Sequence, residues 1–273
     1  MATLEIGVLV GLSDKVEESL KNVTDLGLRA CQICSWQPAQ WTPKRAEMLR
    51  AQARAAGVKI ATFWAGYTGP CEWNFYGGPK TIGLVPEAYR DARVAELKKA
   101  ANFAARAGIS SITTHVGFLP EDPNDPLFAA TVKALKVIAK HCKTKGLDFL
   151  FETGQETPVN LLRTIEEIGT GNLGINLDPA NLILYGKANP VDALEVFGKF
   201  VRQMHAKDGL YPTNGKELGH ETPLGEGMVN FPKLMPKLKS LGFNGVVAIE
   251  REISGPKQIE DIKKAIKLLK PLC

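Results

Sequence analysis

A strand-like apolar run, a polar loop and an amphipathic helix recur eight times from end to end of this 273-residue chain. Strands are expected at about residues 4–11, 28–35, 58–66, 109–117, 147–154, 173–179, 201–207 and 244–251, each an apolar stretch bounded by turn residues. Helices follow at about 14–26, 43–56, 89–107, 126–145, 158–168, 189–199, 231–241 and 256–270, with apolar positions three and four apart, as in Leu127, Ala130, Val132, Leu135 and Ile138. Gly27, Gly57, Gly108, Gly146 and Gly242 stand where helices end and strands begin, the position at which a left-handed residue stops a helix. Eight such units in this length specify an α/β fold, a single (β/α)8 barrel over residues 1–273, rather than a doubly wound sheet, which needs fewer strands and a switch point.

Composition narrows the class without naming a function. Hydrophobic residues at 44% and charged residues at 23% suit a water-soluble globular chain. The longest apolar run, Ile6 to Leu12, is far shorter than the ~20 residues that cross a bilayer, and Met1 to Glu5 lack a positive signal-peptide start. The expected location is therefore the cytoplasm, with no membrane partner. The net charge of +5 is spread among acids without a basic block, which argues against a nucleic-acid partner. Five dispersed cysteines suit a reduced compartment. Cys31-Gln-Ile-Cys34 has redox spacing but lies in an apolar strand, where cysteine serves as a small core hydrophobe.

Two strand-to-helix loops are long, residues 67–88 and 208–229, and such loops sit on the catalytic face of a barrel. The first carries Tyr67, Trp73, Phe75 and Tyr76, aromatics able to wall a sugar-sized ligand. Four consecutive strands then end on a group able to hold a hard divalent ion: Glu152, Asp178, His205 and Glu250. An acid at a strand end often only accepts loop amides. Four in register, each after an apolar run where charge is costly, indicate one metal site instead. Three carboxylates and an imidazole favour Mn²⁺, Mg²⁺, Co²⁺ or Zn²⁺ and do not choose among them.

The strand ends Phe151-Glu-Thr-Gly, Asn176-Leu-Asp-Pro, Met204-His-Ala-Lys-Asp-Gly and Ala248-Ile-Glu-Arg-Glu, with Pro223-Leu-Gly-Glu-Gly, resemble the sugar phosphate isomerase/epimerase family of xylose isomerase-like TIM barrels. That group includes ketose 3-epimerases, inosose dehydratases, hydroxypyruvate isomerases and endonuclease IV. The resemblance implies that Glu152, Asp178, His205 and Glu250 ligate the metal and that Glu152 and Glu250 double as the acid/base pair. A proton next to a carbonyl becomes removable when an ion holds the adjacent oxygens and stabilises the enediolate. Two departures mark the chain off from its analogues. Asn181 stands where ketose 3-epimerases have a histidine, and no arginine follows His205 before Arg251, which argues against a 3-epimerase of free ketoses. Trp64 and Asn181 stand where endonuclease IV has further zinc-binding histidines, which argues against DNA repair.

Supporting roles fall to His115, at the end of the fourth strand, and to Lys207, two residues past His205 and of the same parity, suited to a developing oxyanion. Trp36, Trp64, Glu156, Asn181 and Asp208 are candidate substrate contacts, although Glu156 precedes the helix start Thr157-Pro158 and Asp208 could serve only as a loop cap. Gly169-Thr-Gly-Asn-Leu-Gly174 matches a dinucleotide fingerprint but closes a helix instead of opening one. His141 suits a helix C-terminus, and His220 in the second long loop takes no assignment. Arg251 and Gly225-Glu-Gly227 lie near the usual barrel phosphate site and leave phosphate recognition open.

The function expected is a metal-dependent isomerase or epimerase acting on a sugar or sugar derivative. A dehydratase or lyase on a keto-sugar shares its first step, and a non-catalytic sugar-binding barrel is the reading from another class. The oligomeric state, a homo-oligomer included, is left open.

Overall fold

The computed structural model describes residues 3–273, so Met1 and Ala2, part of the stretch read for a signal peptide, lie outside the described residues. Strands β1 (Glu5–Gly11), β2 (Ala30–Ser35), β3 (Lys59–Ala65), β4 (Ser111–Thr114), β5 (Asp148–Glu152), β6 (Leu173–Leu177), β7 (Val201–Ala206) and β10 (Val246–Ile249) close into a parallel barrel in the order β1-β10-β7-β6-β5-β4-β3-β2. A two-stranded antiparallel sheet, β8 (Asp208–Leu210) with β9 (His220–Thr222), stands apart from it. The helices are α1 (Val16–Asp25), α2 (Pro43–Ala56), α3 (Gly78–Thr81), α4 (Glu87–Ala107), α5 (Pro126–Thr144), α6 (Pro158–Ile168), α7 (Pro179–Leu184), α8 (Pro190–Phe197), α9 (Phe231–Ser240) and α10 (Pro256–Leu269). No described helix is long and apolar enough to cross a membrane.

Local chemistry sets the helix ends. Thr42, Asp125, Thr157 and Asn189 each accept a backbone N–H of the first turn, and a proline follows each one at the first helical position. Gly57 and Gly108 close α2 and α4 at φ +61° and +77°, a conformation that a Cβ would strain. Gly169 likewise ends α6 at φ +58°, so the Gly-x-Gly-x-x-Gly run is a helix stop leading into β6.

Alternation sorts the strand residues. One parity, including Ile112, Phe149, Phe151, Ile175, Met204 and Val247, is fully buried in the main apolar core with Leu97, Leu135, Leu161 and Leu234 of the helices. The other parity lines the barrel and changes character along its axis. Ala30, Ala61, Val246 and Ala248 form a small apolar cluster. Gln32, Thr62, Thr113 and Asn176, all fully buried, make the interior polar above it.

The barrel strands are shorter than the apolar runs suggest. Residues 109–117 supply a ladder of only Ser111–Thr114, and 244–251 one of only Val246–Ile249, because the chain leaves the ladder to turn at the rim. Both long loops are also built, not open: residues 67–88 contain α3, and residues 208–229 contain the β8–β9 hairpin, in which exposed His220 pairs with Leu210. Beyond β6 an unexpected short helix, α7, precedes α8.

Candidate active site

Glu152 is the last residue of β5, and Asp178 and Glu250 each stand one residue past β6 and β10. His205 lies within β7. The strand order sets these four side by side, with donor atoms all within 4.8 Å of one another. Nδ1 of His205 is 2.7 Å from Oε1 of Glu152, 3.0 Å from Oε2 of Glu250 and 3.9 Å from Oδ2 of Asp178. Nδ1 of His205, Oδ2 of Asp178 and Oε2 of Glu250 are buried without an aligned hydrogen bond. A cluster of hard oxygen and nitrogen donors, buried and unspent, fits a divalent ion of the Mg²⁺, Mn²⁺, Co²⁺ or Zn²⁺ type.

Electrostatics in the cluster are opposed and strong. Burial works against a charged His205, but Glu152 and Glu250 outweigh it and hold the imidazole well above its usual pKa. Burial likewise resists ionisation of Glu250, yet Lys207 and His205 overcome it and keep this carboxylate far below the usual range. Asp178 goes the other way. Its burial, together with Glu250 and Glu152, raises it in spite of Lys207.

Lys207 is buried against this cluster, with Nζ 3.5 Å from Asp178, 3.7 Å from Glu250 and 3.1 Å from Glu252, and it donates to Oδ1 of Asn181 at 3.3 Å. Burial alone would lower its pKa, but the surrounding carboxylates raise it, so it is an ammonium. His115 is the reverse case, since burial depresses it to about 4 against the pull of Glu152, and it faces the site as a neutral imidazole.

A cavity of about 360 Å³ opens on these groups, within the ~300–1,000 Å³ of small-molecule sites. Glu152, Lys207 and Glu250 meet Trp36, Trp64, Trp73, His115, Asn181 and Tyr185 in its walls. The aromatic side is continuous: Trp36 lies 5.1 Å from Trp64 and 6.0 Å from Trp73, and Trp73 lies 5.2 Å from His115. Of the other loop aromatics, Tyr67 packs behind Trp36, Phe75 meets Tyr185 at 6.5 Å, and Tyr76 is exposed.

Two candidate substrate contacts lie outside the cavity wall. Asp208 is fully committed: its carboxylate accepts the N–H groups of Gly209, Gly225, Gly227 and Val229 at 2.9–3.2 Å and so holds the 208–229 loop together. Glu156 is fully buried with no well-aligned hydrogen bond to either carboxyl oxygen, and burial pushes its pKa to about 8 against partial relief from the nearby backbone N–H groups of Gly154 and Glu156. Cys31 and Cys34, in β2, are free thiols that burial pushes to about 12, which removes the thiolate a redox pair needs.

Gln32, Asn176 and Glu252 are among the residues of the site that escaped sequence reading. Oε1 of Gln32 is 2.9 Å from Nε2 of His205, Nε2 of Gln32 donates to Oδ1 of Asn176 at 2.8 Å, and Nδ2 of Asn176 donates to Glu152. Their signal is an amide inside a strand otherwise apolar, which is costly unless hydrogen-bonded. Glu252, on the wall beside Lys207, had no signal beyond its place two residues past Glu250.

The sequence matches the family described as xylose isomerase-like TIM barrel over residues 20–272. It is 35% identical over 115 residues to Uncharacterized protein MJ1311 of Methanocaldococcus jannaschii, a match covering 42% of this chain and 36% of that one, so the chain spans about a third of that relative's length. The crystal structure of a xylose isomerase domain protein from Planctomyces limnophilus superposes with a TM-score of 0.94 and 34% identity, covering 99% of this chain and 98% of that one. A D-tagatose 3-epimerase-like protein shares the fold at a TM-score of 0.74 and 21% identity, over 98% and 97% of the two chains. With a closed eight-stranded parallel barrel and a family match over nearly its whole length, the chain belongs to the xylose isomerase-like TIM barrel family.

Proposed function

We propose that this protein is a divalent-metal-dependent isomerase or epimerase that removes a proton next to the carbonyl of a carbohydrate and returns it. The observation that carries this reading is the convergence of Glu152 and Glu250, from strands on either side of β7, on one nitrogen of His205, at 2.7 and 3.0 Å, beneath a cavity with an aromatic wall. A binding module has no need of two buried acids around one donor set, where each costs free energy unless compensated. Likeness in fold to a D-tagatose 3-epimerase-like protein supports a carbohydrate substrate.

Glu152, Asp178, His205 and Glu250 would hold the ion, which when bound supplies Lewis-acid polarisation of the substrate carbonyl. Of the chain's own groups, one glutamate takes the proton from carbon. Return of a proton by the other, protonated glutamate to the opposite face of the same carbon is epimerisation, and return by a single group to the neighbouring carbon is aldose–ketose isomerisation. The Lys207 ammonium stands where negative charge develops on oxygen. Neutral His115 and the Asn181 amide offer hydrogen bonds to hydroxyls, and Trp36 and Trp64 exclude water from the reacting carbon.

Incubation with sugars, sugar phosphates and 3-keto glycosides in D₂O tests the reading. Deuterium should enter one carbon-bound position of the accepted compound. Glu152→Gln and Glu250→Gln should each stop net turnover at saturating metal with occupancy measured. Near wild-type turnover in both metal-loaded variants would sink the two-carboxylate mechanism and move the test to His115 and Lys207.

A further inference from the structure

We propose that the cavity selects an uncharged sugar in closed-ring form, a pyranoside, and rejects phosphorylated, carboxylated and open-chain sugars; this rests on the reading of the barrel as a carbohydrate enzyme and narrows it to proton transfer beside a ketone carried on the ring, with aldose–ketose isomerisation set aside. Three observations meet here.

The first is charge. The one lysine of the wall, Lys207, is already shared among Asp178, Glu250 and Glu252. Three carboxylates of the wall, Glu152, Glu250 and Glu252, stand around it, so a phosphate or carboxylate on the ligand would meet acids and find no lysine left to pair with.

The second is the fate of the groups that would bind a phosphate at a barrel rim. The glycine-rich turn Gly225-Glu-Gly227 presents its amides inward like an anion nest, but Asp208 fills it. A Cβ at position 227 would fall 2.2 Å from the Asp208 carboxylate, so the packing is close. Arg251 is spent as well, paired with Glu221 at 2.8 Å and with Asp261 at 3.1 Å. Both groups that left phosphate recognition open in the sequence are thus satisfied by the protein's own acids.

The third is the aromatic wall. Trp36 packs closely against Gly66, where a Cβ would come within 2.3 Å of its ring. Trp36 and Trp73 keep 39% and 43% of their surface open, whereas Trp64 behind them keeps 6%. The two open indoles stand at 84° to each other, and the flat face of each matches the C–H face of a pyranose ring. An open-chain polyol has no such face and would lose rotational freedom on binding.

Calorimetric titration of the Mn²⁺-saturated protein tests this without turnover. Methyl β-D-gluco-, galacto- and mannopyranosides are the ring ligands, since a methyl glycoside cannot open. D-glucitol is the open-chain ligand, and glucose 6-phosphate and glucuronate are the anionic ones. At least one methyl pyranoside should bind tenfold or more tightly than D-glucitol and both anions, and Trp73→Ala and Trp36→Ala should each weaken it at least tenfold. The proposal is overturned if no pyranoside binds up to its solubility limit, if D-glucitol or either anion binds as tightly, or if both tryptophan variants bind like wild type. Deuterium exchange on a phosphorylated sugar would leave the enzymatic reading standing and remove this one. Pyranoside binding with no exchange into any keto-glycoside would do the opposite.

Discussion

Nε2 of His205 and Oε1 of Gln32, 173 positions apart in the chain, lie 2.9 Å apart inside the barrel, and this contact decides which nitrogen faces the carboxylates. Glu152 can only accept, so Asn176 must turn its NH₂ toward it; the Asn176 oxygen then accepts from Gln32, and the Gln32 oxygen is left to accept from His205. Nε2 therefore carries a proton whether the ring is charged or neutral. Once a bound ion displaces the second proton, the Nδ1 lone pair would point at the space among Glu152, Asp178 and Glu250, as ligation requires.

Gln32→Leu should accordingly weaken divalent-ion binding by about 10–100-fold while leaving the barrel folded. Titration calorimetry with Mn²⁺, alongside a thermal melt, reads both. An unchanged dissociation constant would mean that the amide relay only fills the barrel.

Chelation should lower the melting temperature, and added ion should restore it, because an ion that binds only the folded state contributes about 2.7 kcal/mol at a hundredfold excess over its dissociation constant. Asp178→Asn should abolish most of this ion-dependent increment. A melting temperature indifferent to chelation, with ion loss verified by elemental analysis, would contradict the assignment of the four ligands.

The barrel and the four-residue cluster were legible because both are written in local pattern. Period-two alternation and helix-stopping glycines fix the units, and an acid or histidine after an apolar run marks each strand end. What stayed hidden depends on contacts between distant segments. Gln32 and Asn176 acquire partners only when the closed sheet sets β2 and β6 across one interior. Asp208 offered no sign that four loop amides would consume it, because those amides come from residues as many as 21 positions away. Helix α3 and the β8–β9 hairpin are too short to carry a periodic signal.

Arg93 should prove indispensable to the first long loop. Its guanidinium donates to the carbonyl oxygens of Thr68, Pro70, Thr81 and Gly83 and stacks at 4.2 Å from Tyr67 and 4.7 Å from Tyr89. Arg93→Met leaves buried acceptors unpaired, at about 1–3 kcal/mol each, so a loss of several kcal/mol is expected. Chemical denaturation measures it, and a red shift of Trp73 emission would report the loosened loop. A loss below about 1 kcal/mol would show that water replaces the guanidinium at little cost.

The last prediction concerns pH. Burial raises Glu156 from 4.5 to about 8, with partial relief from backbone N–H groups and Lys187. Between those values the folded chain keeps a proton that the unfolded chain releases. Stability contributed by this group is therefore complete below pH 4.5 and is lost as pH rises toward 8, by about 1.4 kcal/mol per unit, or on the order of 4–5 kcal/mol in all. Glu156→Gln has no proton to lose. Its unfolding free energy should match the wild type near pH 5 to within an offset for the amide and exceed it by several kcal/mol at pH 9. The metal ligands titrate alike in both proteins and cancel in the difference. Two parallel stability curves from pH 5 to 9 would mean that Glu156 ionises normally in the folded state, by drawing water or Lys187 to its carboxylate.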